Sequence, residues 1–334
     1  MIVLALMLAT AAAAQTREVP RQTPEAVAAQ TRALSAPDSI DRAFAACFLA
    51  GMGRRAAPAV PALAALLGDT AAIDPVVCRG GVGTVGPTSI VTLEKSSPGL
   101  EAARALGAIG EAAVDRLLEA FASPDADVRY HAARGLAPVR DARATDALTA
   151  GVGDADARVR SEVAAGLGRR RDSRVPGALV TLAGDREPDV RRHAVRAIGR
   201  FGPFDGSVGL LTDALDDGDA RVRREAAGAL GRRRVESSDG RATSALVSAL
   251  EDDEPTVRER AVVALGSLRD TTAVPDLLPL LHDGDPEIRE QAATALGRLR
   301  DPRSVGPLID ALTDRDAGVR QRAAWALGRM PQGR

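Results

Sequence analysis

The histidines are the side chains of this sequence best suited to metal binding or proton transfer, and there are three: His131, His193 and His282. His131 and His193 occupy the same position in two copies of an internal repeat, with one copy between them. Neighbouring helices lie about 8–10 Å apart, so these two side chains are expected roughly 20 Å from each other. Glu162 and Glu225 fill the same position in other copies, which predicts a solvated polar edge and no metal site.

Other signals for chemistry are weak. Gly81, Gly83 and Gly86 match the spacing G-x-G-x-x-G. A dinucleotide site requires a helix to begin there, whereas Pro87 and the β-branched residues 90–92 follow. We therefore expect a surface loop, or a loop that contacts a partner, and no nucleotide site. No Ser/His/Asp or Cys/His arrangement is present either, so we predict no catalytic residues and no cofactor.

A dipeptide of valine or isoleucine followed by arginine recurs at nearly constant intervals of 31, 31, 32, 35, 31 and 31 residues. Its copies are Val128-Arg129, Val159-Arg160, Val190-Arg191, Val222-Arg223, Val257-Arg258, Ile288-Arg289 and Val319-Arg320. A period in this range predicts a solenoid, in which each unit buries its apolar face against its neighbours.

Each copy is predicted to be a helical hairpin. In the sixth copy, apolar residues spaced by three and four from Ile288 onwards indicate one buried helix face. Asp285 is a suitable N-cap, and Pro286 then occupies the first helical position. Gly297 and the polar stretch 300–302 predict the end of this helix and a turn before a second one.

The pattern D-x-D-P-x-V-R-x-x-A-A-x-A-L-G-x-L-x-D-x-R-x-V-x-x-L resembles the HEAT-like repeats of phycobilisome lyases. The resemblance covers residues 98–334, although the first copy, 98–121, lacks the Val-Arg pair. A degenerate earlier copy is expected in residues 45–69. The resemblance implies an all-α fold: a right-handed α-α superhelix, a HEAT-like solenoid of about eight helical hairpins with one irregular insertion. It implies little about activity, because such repeats carry many functions.

The resemblance also implies a structural ladder in which arginines pair with aspartates between neighbouring units. The arginines are Arg129, Arg160, Arg191, Arg223, Arg258, Arg289 and Arg320, and the aspartates of the preceding turns are Asp156, Asp219, Asp285 and Asp316. The alternative is an anion-binding stripe. Two clusters, residues 169–171 and 232–234, are read as solvated helix ends, or as contacts to phosphate or an acidic partner.

One enzyme class with this repeat is disfavoured by the residues that follow the histidines. The resemblance extends to deoxyhypusine hydroxylases, which bind two irons through His-Glu pairs. In this chain Ala132, Ala194 and Asp283 follow the three histidines, so that ligand motif is absent.

Residues 1–14 are predicted to be a signal peptide, because a short apolar run precedes the small residues 12–14. We expect an exported protein, periplasmic or secreted, with no membrane span in the mature chain; a wrongly assigned start or an uncleaved anchor are the alternatives. Residues 15–69 would hold the N-terminal helices and the degenerate first repeat, 70–97 a Gly-rich irregular insertion, and 98–334 the HEAT-like repeat array.

Export bears on the two cysteines. In an oxidising compartment Cys47 and Cys78 could form one disulfide that holds the insertion to the first hairpin. The alternative is two unrelated buried thiols.

The leading hypothesis is a non-enzymatic scaffold that binds another protein on the curved surface formed by the second helices. A formal net charge of −1 argues against a general nucleic-acid or membrane surface. Two alternatives are a lyase- or chaperone-like accessory protein for a cofactor-bearing partner and a nucleic-acid-binding HEAT-repeat protein. The candidate partner-binding residues are small and polar or acidic: Asp146, Thr149, Thr181, Asp213, Ser244, Ser248, Asp276 and Asp310.

Overall fold

The computed structural model describes residues 23–73, 96–232 and 240–331. These residues form helices joined by short turns and contain no β-strand, which confirms the all-α prediction. The chain divides into two compact units, residues 1–147 and 148–334.

The first unit contains three helical hairpins preceded by one helix. Its helices are α1 (Pro24–Ala33), α2 (Ser39–Met52), α3 (Val60–Ala65), α4 (Pro98–Ile109), α5 (Val114–Phe121), α6 (Ala126–Leu136) and α7 (Ala142–Ala150), the last of which continues into the second unit. The longer first helices α2, α4 and α6 contact one another in sequence order. The insertion leaves this unit at Ile73 and returns at Ser96, where the two backbones form an isolated antiparallel bridge.

The second unit continues the same arrangement. Its helices are α8 (Ala157–Leu167), α9 (Val175–Ala183), α10 (Pro188–Phe201), α11 (Ser207–Asp213), α12 (Ala220–Arg232), α13 (Arg241–Ser248), α14 (Pro255–Leu268), α15 (Val274–Leu277), α16 (Pro286–Leu299), α17 (Val305–Asp310) and α18 (Ala317–Leu327). The first helices α8, α10, α12, α14, α16 and α18 contact one another in sequence order. Within the described residues the chain holds eight hairpins, in agreement with the predicted number, and the two additional helices α1 and α18.

Two successive turns, each closed by an aspartate carboxylate that accepts a hydrogen bond from the N–H two residues later, precede the first helices; we call them the double turn. In the sixth copy the Asp283 carboxylate accepts a hydrogen bond of 2.8 Å from the Asp285 N–H, and Asp285 accepts one of 2.9 Å from the Glu287 N–H. Asp285 is thus the N-cap of α16, with Pro286 at its first position. The repeated sequence D-x-D therefore supplies acceptors for N–H groups that the helix itself leaves unpaired.

The core consists of small and aliphatic side chains. The alanine four residues after each repeated valine or isoleucine is fully buried wherever it occurs: Ala132, Ala194, Ala226, Ala261, Ala292 and Ala323. One leucine or isoleucine a turn later in each copy fills the remaining space, as Leu296 does in α16. A core of this kind requires no aromatic residues and allows neighbouring first helices to lie close together.

The helix end predicted near Gly297 and residues 300–302 is confirmed, but Gly297 lies within the helix and does not cap it. The helix continues to Leu299 and ends where Arg300 adopts a left-handed conformation with φ of 57°. A Cβ atom on Gly297 would lie 2.7 Å from the Cβ and 2.8 Å from the Cα of Ala326 on the next first helix. The same close approach joins Gly168 to Ala197, Gly199 to Ala229, Gly231 to Ala264, and Gly266 to Ala295. This glycine is therefore a packing residue.

We expect Gly266→Ala to lower the free energy of unfolding by about 1–2 kcal/mol, because overpacking outweighs the gain in helix propensity. The added Cβ would lie 2.7 Å from the Cα of Ala295, a backbone atom that moves only with its helix. Gly306→Ala is the matched control, since Gly306 is helical and has no atom within 4 Å of the added Cβ. Urea unfolding of both variants tests this: equal stabilisation of the two would contradict the packing role.

Candidate functional site

The predicted row of histidines and glutamates is not a solvated edge. His131 is buried, and its Nδ1 lies 2.6 Å from the Leu67 carbonyl oxygen. His193 is half-buried with Nδ1 2.7 Å from the Asp189 carbonyl oxygen, and burial lowers its pKa. Each ring is therefore held by a backbone carbonyl. Within the described residues no group of His, Cys, Asp or Glu side chains is placed to bind a metal ion.

Several predicted features lie outside the described residues: the signal peptide 1–14, the glycines Gly81, Gly83 and Gly86, and Cys78. Cys47 is described, and its Sγ lies 3.3 Å from Oε2 of Glu101. The disulfide between Cys47 and Cys78 therefore stays a prediction.

The ladder arginines join successive turns of the solenoid. In the second unit, Nε and Nη2 of Arg160 donate to the two carboxylate oxygens of Asp185 at 2.6 and 2.8 Å. Nη1 of the same guanidinium donates to the Asp154 and Ala155 carbonyl oxygens at 2.7 and 3.2 Å. One side chain thus holds the turn before its own helix and the turn of the following hairpin. The same carboxylate pairing joins Arg191 to Asp217, Arg223 to Asp252, and Arg289 to Asp314.

The acidic partners differ from those predicted. Asp156, Asp219, Asp285 and Asp316 accept hydrogen bonds from N–H groups at the start of their own helices. Four of the arginines instead bind the aspartate three residues before the following first helix begins: Asp185, Asp217, Asp252 and Asp314. The remaining three arginines are Arg129, Arg258 and Arg320. Each donates hydrogen bonds to the backbone carbonyl oxygens five and six residues earlier in the chain.

Two residues at the ladder position escaped the sequence analysis. Arg42 lies four residues after the N-cap Asp38, the spacing that separates Arg289 from Asp285, and it binds Asp69 at 2.7 Å. Asp41 replaces the valine there, so the dipeptide search missed it, whereas the distance from the N-cap would have found it.

Glu101 is the second such residue, four after the N-cap Ser97 of α4. This glutamate is buried and accepts hydrogen bonds from the Ser96 hydroxyl and from Nη1 of Arg104. The ladder position of the second hairpin is therefore acidic; its carboxylate is bound by Ser96 and Arg104 of the same segment and lies near Cys47 of α2.

The candidate partner-binding residues lie mostly at the surface. In the second unit we define the second-helix surface by six exposed residues: Thr181, Asp213, Ser244, Ser248, Asp276 and Asp310. Asp146 is exposed in the first unit. Thr149 is half-buried with its hydroxyl oxygen shielded from solvent, so it is poorly placed for a partner. Val180 and Ile309, 44% and 52% exposed, lie beside Thr181 and Asp310 in the chain.

A second candidate site is a groove on the first helices of the second unit. Three arginines spaced four residues apart line it from α10: Arg192, Arg196 and Arg200. Helix α12 contributes Arg221, Arg224, Glu225 and Arg232, and α14 contributes Arg260. These eight residues define the arginine groove, which has a volume of about 430 Å³. Of the two arginine clusters noted in the sequence, only Arg232 lines it; Arg233 and Arg234 lie outside the described residues.

Positive charge dominates the arginine groove. Oε2 of Glu225 accepts hydrogen bonds from Arg196 Nε and Nη2 at 3.0 and 2.8 Å, and Oε1 accepts one from Arg232 at 2.7 Å. Burial raises the pKa of Glu225, but the two guanidinium groups bring it below the usual value. The pKa of Arg200 is lowered by burial and then by the charges of Arg196, Arg169 and Arg232. The groove thus favours an additional anion.

Comparisons with known proteins agree with this architecture. A family model described as HEAT repeats matches residues 114–187, 176–243 and 243–328, and one described as PBS lyase HEAT-like repeat matches residues 100–123. The first of these models covers more than half of the 334 residues, so the chain belongs to the HEAT-repeat family. This confirms the resemblance noted in the sequence. A comparison with curated protein sequences found no match.

Solved structures show the same fold at low identity. An engineered protein is 24% identical, with 91% of this chain and 88% of that protein covered and a TM-score of 0.53. The Escherichia coli protein YibA is 22% identical, with 70% and 87% covered and a TM-score of 0.56. Human deoxyhypusine hydroxylase is 24% identical over 82% and 96%, but its TM-score of 0.34 is too low to support an argument.

HEAT repeats in general mediate protein interactions. Among residues 23–73, 96–232 and 240–331, no helix has the length and apolar character needed to cross a bilayer.

We expect Arg289→Met to lower the free energy of unfolding by about 2 kcal/mol, because Asp314 then loses a bidentate partner near the core. Arg320→Met is the matched control: Arg320 makes the same type of contacts to turn carbonyls but no ion pair with another described residue. Its loss should change stability by about 0.5 kcal/mol or less. Equal losses of unfolding free energy in the two variants, measured by urea unfolding, would show that the ion pair does not contribute to stability.

The ladder should also make stability depend on pH. Hydrogen bonds from Arg223 and Arg289 hold the pKa values of Asp252 and Asp314 below their usual range. A pKa lowered by folding stabilises the protein above the unfolded value of about 3.9, and this contribution is lost as the pH falls through the folded value.

The Asp252→Asn/Asp314→Asn variant lacks this titration. Its deficit in unfolding free energy relative to wild type should therefore be large at pH 7 and shrink below about pH 4. The exposed pair Asp216→Asn/Asp253→Asn serves as control. Parallel pH profiles for wild type and the ladder variant would contradict the role of these carboxylates.

Proposed function

We propose that this protein is a non-enzymatic scaffold, exported from the cell, that binds another protein on the second-helix surface. The observation that carries the proposal is the repeated display of exposed polar side chains on successive second helices of the second unit. Two large apolar side chains that neighbour this row in the chain, Val180 and Ile309, are also exposed. Apolar area surrounded by polar groups is typical of surfaces that contact proteins.

The chemistry of the second-helix surface suits a protein segment. Asp213, Asp276 and Asp310 make it slightly acidic, while Thr181 and Ser244 add hydroxyl groups that both donate and accept hydrogen bonds. An extended or basic segment would find complementary charge there. A nucleic-acid backbone would be repelled by the same carboxylates.

The non-enzymatic part of the proposal is supported by the use of the charged side chains. Most of the repeated arginines and aspartates are engaged in the ladder and in the double turns, where they hold hairpins together. HEAT repeats are in general scaffolds, and their function resides in surfaces added to the packing pattern.

An accessory role with a cofactor-bearing partner is less well supported. The residues that match the PBS lyase HEAT-like repeat, 100–123, include most of α4, and that part of α4 is largely buried. Leu100, Ala103, Leu106 and Ile109, for example, all face the core. Within α4 the likeness therefore rests on packing residues, which say nothing about the ligand of a partner.

Export is supported by the apolar run of residues 2–8 and by the small residues 12–14 that follow it. In the exported protein Cys47 and Cys78 would then meet oxidising conditions in which a disulfide persists.

Site-specific photocrosslinking in cells tests the proposed surface. A photoreactive amino acid placed at Thr181 or Ser244 should crosslink the same partner protein, because both side chains are exposed on second helices. Gln321, exposed on the first helix α18, is the control position and should give no such product. Crosslinks of equal yield from Gln321, or none from Thr181 and Ser244, would contradict the second-helix surface.

The same cells test charge complementarity and export. The Thr181→Arg/Ser244→Arg/Asp276→Arg variant, probed from Asp310, should lose the crosslinked product because a basic segment is then repelled. The C-terminally tagged protein should be recovered in the periplasmic or secreted fraction with Gln15 as its first residue. Recovery in the cytosol with an intact N-terminus would overturn the export proposal. The proposal for the second-helix surface would then still be decided by the crosslinking results.

A further inference from the structure

Three arginines of the arginine groove have no partner among the described residues. The guanidinium groups of Arg200, Arg224 and Arg260 make no hydrogen bond or ion pair there, although they share one groove with four further arginines. The lining holds seven arginines and one glutamate, a formal charge of +6. Asp189 and Asp219, which lie outside the lining, pair with Arg192 and Arg221 and offset part of this charge. Nε of Arg192 is also shielded from solvent without a hydrogen-bond partner. Guanidinium groups without a protein partner are therefore concentrated in one place.

The repeat itself does not require these arginines. The position of Arg196 is occupied by Gly228 and Val263 in the next two copies, and that of Arg200 by Arg232 and Ser267. Close guanidinium groups repel one another, and burial together with neighbouring charges lowers the pKa of Arg200. A cluster that the fold does not need and that repels itself requires another explanation, and a bound anion provides one.

Glu225 shows how a carboxylate is received in the groove. Both of its oxygens are held, one by the Nε and Nη2 atoms of Arg196 and the other by Arg232. The planar guanidinium fork matches a carboxylate in this way, and such charge-assisted bonds are stronger than neutral ones.

The absence of a side chain at Gly228 contributes to the volume of the groove. A Cβ atom there would lie 2.6 Å from Nε of Arg260, so the missing side chain lets Arg260 lie across α12. The resulting volume of about 430 Å³ exceeds that of a single carboxylate and accommodates several acidic side chains.

The lining favours a peptide over a nucleic acid. Single-stranded nucleic acids are bound by basic grooves in which aromatic side chains stack on the bases. The arginine groove has no aromatic residue in its lining.

We propose that the arginine groove binds an acidic protein segment, with Arg200, Arg224 and Arg260 pairing with its Asp and Glu side chains. This site lies on first helices, uses different residues from the second-helix surface and does not depend on it. A partner with both a basic and an acidic segment could occupy both surfaces.

The test is the binding of a fluorescein-labelled oligoglutamate peptide to the full chain, followed by fluorescence anisotropy at low and moderate salt. The Arg200→Glu/Arg224→Glu/Arg260→Glu variant should weaken binding by about tenfold or more. The control is Arg54→Glu/Arg140→Glu/Arg315→Glu, which makes the same change in net charge at exposed sites outside the groove. The affinity of this control for the peptide should stay within about threefold of wild type. A larger loss would mean that net charge alone explains the effect.

A second pair of variants tests the groove in the opposite direction. Glu225→Gln frees Arg196 and Arg232 from their internal carboxylate and should tighten peptide binding by about threefold or more. Glu251→Gln adds the same charge at an exposed site outside the groove and should leave the affinity nearly unchanged. Circular dichroism of all variants shows whether each is folded.

Three results would overturn the proposal. Equal losses in the groove variant and its control would show that only net charge matters. Unchanged binding in the groove variant would show that the groove is not the site. Tighter binding of a single-stranded oligonucleotide of equal charge, lost in the groove variant, would replace the acidic peptide by nucleic acid as the ligand. The second-helix surface is intact in every variant, so these outcomes are separate from those of the crosslinking experiment.

Discussion

The rest of the solenoid depends on one interaction: the guanidinium group of a ladder arginine binds two successive turns at once. The turn that leads into a first helix has carbonyl oxygens that need donors, and the turn of the following hairpin has an aspartate carboxylate that needs them too. Arg160 satisfies both, since Nη1 binds two carbonyl oxygens of its own turn and Nε and Nη2 bind Asp185 of the next. The planar group has donors in the directions required for both tasks, which an ammonium group lacks. Repeating this contact sets the turns in register along the unit.

Close packing of the first helices follows from the same register. Gly266 and Ala295 meet with no room for another methyl group, and equivalent pairs recur along the second unit. The interior is then filled by alanine and leucine, which explains why the chain folds with only 2% aromatic residues. Since these constraints act on the buried faces and the turns, the exposed faces of both sets of helices are free to vary. The second-helix surface and the arginine groove, for which we propose partners, both lie on such exposed faces.

Arginine has two opposite roles in this protein. In the ladder each guanidinium is paired and held near the core, as in the contact between Arg289 and Asp314. In the arginine groove Arg200, Arg224 and Arg260 stand close together with one glutamate between two of their neighbours. The first arrangement stabilises the fold, whereas in the second the like charges repel one another, and we propose that an anionic partner offsets this repulsion. The residue type is the same, and the surroundings decide which role applies.

The sequence by itself determined the repeat, the hairpin and the capping of its first helix, because these depend on spacings of a few residues within one helix or turn. Asp285 and Pro286 were placed correctly for that reason. The tertiary structure alone decided which aspartate each arginine binds, since the partners are 25 to 29 residues apart in the chain. It also decided that Gly297 packs against Ala326 and that arginines from three helices meet in one groove. Such contacts depend on the distance and rotation between neighbouring helices, which no spacing along a single helix specifies.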